Sequence, residues 1–190
     1  MSQEAEDQML TSELLQKIHA KDQLLIDGMY AEIGRVFVWW GHIEYGLQAI
    51  FHLTLGSGDW DSKAALFHMS STFARKLEMT DTVLGVFFEA NSEVKDEWSR
   101  RNGLRDRLKG CAEERNMLAH FGVSVMSAGL GEGKKVAYMR DIAAGKRKRS
   151  KRLLHLSDIV SMRSRFEQLW RDLGGYELRI EDKLGRNWTE

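Results

Sequence analysis

Residues 36–58 read VFVWWGHIEYGLQAIFHLTLGSG, the most apolar stretch of the chain, with Glu44 as its only formal charge. A stretch of this length can span a bilayer. Here His42, Glu44, Gln48 and His52 interrupt it, and a carboxylate at midspan is costly in lipid. Val36, Trp39/Trp40, Ile43, Leu47 and Ile50/Phe51 recur close to the helical period. The stretch therefore predicts a buried central helix over about 30–55 rather than a membrane span. Gly56, just past Leu55, suits the left-handed residue that closes a helix.

The flanking sequence extends the helical pattern. Upstream, Leu14, Leu15, Ile18, Leu25 and Ile26 give an apolar face to a first helix that Thr11 or Ser12 can cap. That helix either breaks at Gly28 or runs on through Met29 and Ile33. Downstream, a third helix is expected over about 62–90, with a kink near 69–72. A fourth is expected over about 91–120, with Val94, Trp98, Leu104, Leu108, Cys111 and Leu118 on its stripe. Arg115 falls on that same apolar phase, so it either pairs with an acid or faces a cleft. Residues 123–127 and 135–142 alternate with period two around a glycine-rich turn at 129–133, which predicts a β-hairpin over 122–142. Residues 145–152 read as loop. A last helix over 157–173 carries Ile159, Met162, Phe166, Leu169, Trp170 and Leu173, with Gly174 and Gly175 as its end. The expected fold is mainly α: an antiparallel bundle of four to five helices in one domain over 1–190, with one hairpin inserted after the fourth helix.

Composition agrees with long helices. The 190 residues contain no proline, where average usage gives roughly nine, and proline breaks helix interiors. A single cysteine excludes a disulfide framework and a Cys-based zinc cluster, and fits a reducing cytosol. The N-terminal MSQEAEDQ is acidic where a signal peptide is basic. Twenty-eight basic residues balance twenty-eight acidic ones, but unevenly. Residues 1–32 hold seven acids and two lysines, whereas 146–152 read KRKRSKR.

Two apparent motifs fail on their spacing. In GLGEGKK (129–135) the phosphate-loop pattern puts Ala128 where its first glycine belongs and Lys135 where Ser or Thr belongs, and a strand follows instead of a helix. His42-x-Glu44 opens a zinc-deaminase signature whose Pro-Cys-x-x-Cys half a chain without proline cannot supply. No His-Glu-x-x-His is present. No metal or cofactor is expected from these patterns.

The informative cluster is Glu114-Arg-Asn-Met-Leu-Ala-His120-Phe121. Asn116 and His120, four apart, share a helix face. Arg115 lies about 140° and about 7.5 Å from His120 on an ideal helix. The two do not meet readily within one straight helix, but can meet across a two-fold axis. Arginine offers phosphate a fixed fork of donors, and histidine moves protons near neutral pH. By itself this spacing also fits a histidine that merely ends its helix.

Arg115-Asn116-x-x-x-His120, followed by Phe121-Gly122 and a hairpin, resembles the signature of the HEPN (higher eukaryotes and prokaryotes nucleotide-binding) domain family. Trp40-x-x-Ile43-Glu44-x-x-Leu47 and Phe73-x-Arg75-Lys76-Leu77 on earlier helices are similar to its bacterial stand-alone members, so the resemblance covers about 30–142. It implies a homodimer whose Arg/His pairs line one cleft, and a metal-independent endoribonuclease, of a type found in toxin–antitoxin and phage-defence systems with a protein partner; the cysteine usage makes the expected location cytoplasmic. On the matching positions, His120 handles the ribose 2′-OH or the leaving oxygen and Arg115 binds the scissile phosphate. Asn116 orients His120 or binds the phosphate, and Glu44 supports Arg115. Lys146, Arg147, Lys148, Arg149, Lys151 and Arg152 read either as a solvated loop or as an RNA-contacting arm, which Lys134, Lys135 and Arg140 extend. The alternative is a non-catalytic module that binds RNA, nucleotide or a protein.

Overall fold

The computed structural model describes residues 3–56, 58–127, 135–141 and 153–185, with 3–15 as backbone only. The fold is mainly α, a helical bundle with a small antiparallel sheet. Its elements are α1 (Gln3–Thr54), α2 (Trp60–His68), α3 (Phe73–Ala90), a 3-10 turn (Ser92–Val94), α4 (Lys95–Ser99), α5 (Leu104–His120), β1 (Phe121–Ser127), β2 (Lys135–Asp141), β3 (Leu154–His155) and α6 (Leu156–Lys183). No described helix is long and apolar enough to cross a membrane. The described residues group into two compact units, Met1–Arg35 with Met117–Ser161, and Val36–Asn116 with Met162–Glu190.

Several boundaries differ from expectation. The first two expected helices are one, because α1 passes through Gly28 without a break. A mid-helix glycine costs about 1 kcal/mol against alanine. That is small beside the burial of Met29, Val36, Ile43, Leu47 and Ile50, each fully buried. The kink expected at 69–72 is a full break, where the Thr72 hydroxyl caps α3 by accepting from the Arg75 N–H at 3.3 Å. The expected fourth helix is split at 100–103. Arg100 is extended, Asn102 is left-handed at φ 60°, and a Cβ on Gly103 would lie 2.7–2.9 Å from the carbonyl oxygens of Glu97, Trp98 and Arg100. Only glycine fits that close approach. Gly103→Ala is expected to destabilise the protein by about 1–3 kcal/mol, the cost of forcing an atom into packed structure, read as a lower urea midpoint; an unchanged midpoint would contradict the packing at this turn. Gly174 and Gly175 do not end the last helix either. α6 continues to Lys183 because Tyr176 and Ile180, both fully buried, carry on its apolar stripe.

In the unit built on Val36–Asn116, the core gathers Trp40, Ile43 and Leu47 of α1, Leu77 and Leu84 of α3, Leu104 and Leu108 of α5, and Phe166, Leu169 and Leu173 of α6. Trp98 is its largest fully buried side chain, stacked on Tyr176 with ring centroids 5.7 Å apart. Its indole N–H donates to Asp81 at 2.9 Å, and Asp81 also pairs with Arg105 at 3.0 Å. The end of α1 is closed by a buried lysine. The Lys63 ammonium donates to the carbonyls of His52, at 3.1 Å, and Gly56. A cation there satisfies carbonyls that lack helical partners and opposes the negative end of the helix dipole.

That arrangement sets the state of His52. It is 2% exposed, its ring lies 4.0 Å from that of Trp60, and neither ring nitrogen has a hydrogen-bond partner among the described residues. Burial, and then the Lys63 ammonium, hold the imidazole below its ordinary 6.5. The unfolded chain therefore takes up a proton at His52 before the folded one does. The stability tied to neutral His52 is present above about pH 6.5 and is lost as the pH falls below it. Urea midpoints measured from pH 8 to pH 5 are expected to fall, and His52→Leu to flatten that fall; an equal slope in both proteins would contradict it.

In the other unit, β1 pairs antiparallel with β2 from Phe121↔Asp141 to Ser127↔Lys135. The expected hairpin strands are thus present. Their turn lies outside the described residues. β3, which was not expected, pairs with β2 at Tyr138 and Met139. Ala137, Met139 and Leu154 are buried, and Lys135 binds Asp22 of α1 at 2.7 Å.

Candidate functional site

α5 presents two faces to its unit. Leu104, Leu108 and Cys111 point into the core. Burial pushes the Cys111 thiol up to about 12, so it is an inert apolar group and not a nucleophile. Arg105, Lys109, Ala112 and Asn116, at three- and four-residue steps, line a cleft of about 780 Å³ together with Arg115. The opposite wall comes from Trp40 and Glu44 of α1 and from Thr72, Phe73 and Leu77 at the start of α3.

Arg115 is half-buried in this cleft. Its guanidinium carbon sits 5.7 Å from the Phe37 ring centre and 5.9 Å from that of Trp40. Ring faces attract a cation but do not neutralise it. Nη1 donates to the Asn116 side-chain oxygen at 3.0 Å. Nε is buried without a hydrogen-bond partner, and no carboxylate is within ion-pairing distance among the described residues. Of the two expectations for an arginine on the apolar phase, the cleft is the one realised. The guanidinium, without a carboxylate partner, can offer its fork of donors to an oxyanion in the cleft.

The other basic groups of α5 are mostly tied. Arg105 binds Asp81, and Arg107 binds Asp172 at 2.6 Å. Glu114, beside Arg115 in sequence, pairs instead with Arg165 at 2.6 Å. Lys109 makes no ion pair among the described residues, and neither does Glu113, which lines the same cleft four residues further along α5.

Glu44 lines the cleft but does not support Arg115. Its carboxylate accepts from Lys76 Nζ at 3.3 Å, because α3 brings that ammonium to the wall. Asn116 is exposed and serves as acceptor for Arg115. His120 is exposed and is the last residue of α5; it belongs to the unit containing the sheet. Lys135 does not extend a free basic patch, since Asp22 neutralises it, whereas Arg140 is exposed on β2. Lys134 and the run Lys146, Arg147, Lys148, Arg149, Lys151 and Arg152 lie outside the described residues. Among the described residues no group of three or more His, Cys, Asp or Glu side chains is placed to hold a metal ion.

Lys109 and Thr72 were not singled out from the sequence, and Phe73 was named there only within a helix motif, not as a wall of the cleft. Lys109 was legible, because it stands three and seven residues before Ala112 and Asn116. The wall was not, because it is brought to α5 only by the fold. No protein-family model, curated protein or solved structure matches this chain.

Proposed function

We propose that the chain is a metal-independent endoribonuclease that acts as a homodimer, with Arg115 and Asn116 binding the scissile phosphate and His120 transferring the proton. The observation that carries this reading is the half-buried Arg115 guanidinium, held in an open cleft with no carboxylate within ion-pairing distance among the described residues. A phosphodiester oxygen matches that guanidinium in charge and in hydrogen-bonding. Asn116, bonded to Arg115, fixes the fork. The sequence signature Arg115-Asn116-x-x-x-His120 supplies the reason to read the anion as RNA.

In the proposed reaction His120 takes the proton of the ribose 2′-OH, and that oxygen attacks the adjacent phosphorus. The 5′-oxygen leaves, takes that proton back from His120 to become a hydroxyl, and a 2′,3′-cyclic phosphate forms. Arg115 stabilises the negative charge that builds on the phosphoryl oxygens. The test is incubation of the purified chain with RNA in EDTA. The expected products carry 2′,3′-cyclic phosphate and 5′-hydroxyl ends, and DNA of the same sequence stays intact. RNA binding with no turnover under any condition supports the second reading, a binding module, which the same unneutralised Arg115 also favours.

A further inference from the structure

Six charged side chains line the cleft, and three of them are tied. Glu44 is held by Lys76 at 3.3 Å, Glu78 by Arg75 at 2.8 Å and Arg105 by Asp81 at 3.0 Å. Arg115, Lys109 and Glu113 make no ion pair among the described residues. Lys109 and Glu113 stand one turn apart on α5, a spacing at which opposite charges can pair, yet each is left exposed to the cleft. Arg115 lies about 160° around the helix from Glu113, which sets the two side-chain tips about 10 Å apart. The cleft thus has a guanidinium on one flank of α5, and an ammonium with a carboxylate on the other. The facing wall offers Phe73, half-buried, its ring centre 4.5 Å from that of buried Trp40.

A free carboxylate is out of place in a groove that only follows a polyanion, because it repels phosphate as the cations attract it. It fits where a base presents N–H donors. We propose that the cleft selects guanine beside the scissile phosphate, with Glu113 accepting from N1–H and the 2-amino group, Lys109 donating to O6, and Phe73 stacking on the base. The hydrogen-bond inventory chooses the base. A carboxylate sets two acceptor oxygens side by side. Guanine alone sets two N–H donors side by side on its pairing edge, with the acceptor O6 next to them. Adenine and cytosine set one amino group beside an acceptor nitrogen, and uracil sets one N–H between two carbonyls, so each turns a lone pair toward a carboxylate oxygen. Bases splayed from single-stranded RNA are read on this edge while stacked on an aromatic ring. The separation of Arg115 from Glu113 matches one nucleotide from phosphate to pairing edge, so both can engage the same nucleotide. The choice of base rests on the ribonuclease reading for the RNA; the three unpaired charges do not.

The experiment uses single-stranded RNAs identical except at one guanine, which is replaced in turn by inosine, adenine and uracil. Equilibrium binding and single-turnover cleavage are measured in EDTA with the full chain and with Glu113→Gln. Wild type is expected to favour guanine over adenine and uracil by about 10- to 100-fold, the discrimination of a bidentate contact. Inosine lacks the 2-amino group and is expected to lose about 10-fold against guanine, the worth of one hydrogen bond to a charged group. Glu113 is exposed, so the near-isosteric Gln leaves the fold intact, and the variant is expected to erase the guanine–inosine difference. Equal handling of the four RNAs by wild type, a guanine preference that survives Glu113→Gln, or a variant that weakens all four RNAs alike overturns the proposal, and cleavage in those cases leaves the ribonuclease reading standing. Guanine-selective binding that Glu113→Gln abolishes, with no cleavage of any RNA, keeps the base selection and removes the ribonuclease reading. Neither binding nor cleavage of any of the four removes both.

Discussion

His120→Ala is expected to slow RNA cleavage by about 100- to 10,000-fold, the range for a lost general acid–base group, while leaving RNA affinity nearly intact. His120 is exposed at the end of α5, so removing its ring costs the fold little. Arg115→Ala is expected to slow cleavage by about 100- to 1,000-fold, as does loss of a donor to a developing oxyanion, and also to weaken RNA binding. The two variants thus separate on affinity. Arg115→Lys is not expected to rescue, because an ammonium lacks the planar fork that Phe37, Trp40 and Asn116 position. Single-turnover cleavage and equilibrium RNA binding of the three variants check this. An Arg115→Ala chain that binds and cleaves like wild type removes the phosphate role.

Trp98→Ala is expected to lower stability by about 3–5 kcal/mol, the usual cost of emptying a large buried aromatic site. Trp98 is fully buried from the short helix α4, lies against Tyr176, and fixes Asp81 through its indole N–H. Asp81 in turn holds Arg105 on the cleft face of α5. The loss is therefore expected in the urea midpoint of the whole protein, together with weaker RNA binding near that midpoint. Trp98→Phe keeps most of the apolar area but leaves Asp81 with Arg105 alone, so a smaller loss is expected. A midpoint unchanged by Trp98→Ala contradicts the central place of this residue in the core.

The elements with strong periodicity were readable from the chain. The stripe from Val36 to Phe51 is the buried face of α1, Trp40 and Trp98 are core, and the strands around the glycine-rich turn pair as alternation implied. Arg115 could be placed on an apolar phase and so at a cleft or beside an acid; the structure places it in the cleft. Helix ends were the weak point. Gly28, Gly174 and Gly175 look like stops locally, but buried Met29 after the first, and buried Leu173 and Tyr176 around the pair, carry the helix through them. Gly103 marks a real break that the Asn102-Gly103 pair signals as a turn dipeptide, and three backbone oxygens crowd the place where a Cβ would stand. Glu44 was assigned to Arg115 through the family resemblance, as an acid on an earlier helix. Lys76, thirty-two residues from Glu44 in the chain, reaches that carboxylate instead. Pairings of this kind depend on how α3 lies against α1, which periodicity does not encode.

The central claim is that RNA cleavage resides in Arg115 and His120 of this chain. Its most direct test is single-turnover cleavage of one RNA in EDTA by wild type and His120→Ala, purified side by side. Cleavage by wild type to 2′,3′-cyclic ends, with a fall of about 100-fold or more in the variant, is the predicted result. Equal rates in the two proteins, or no cleavage by either, would contradict it.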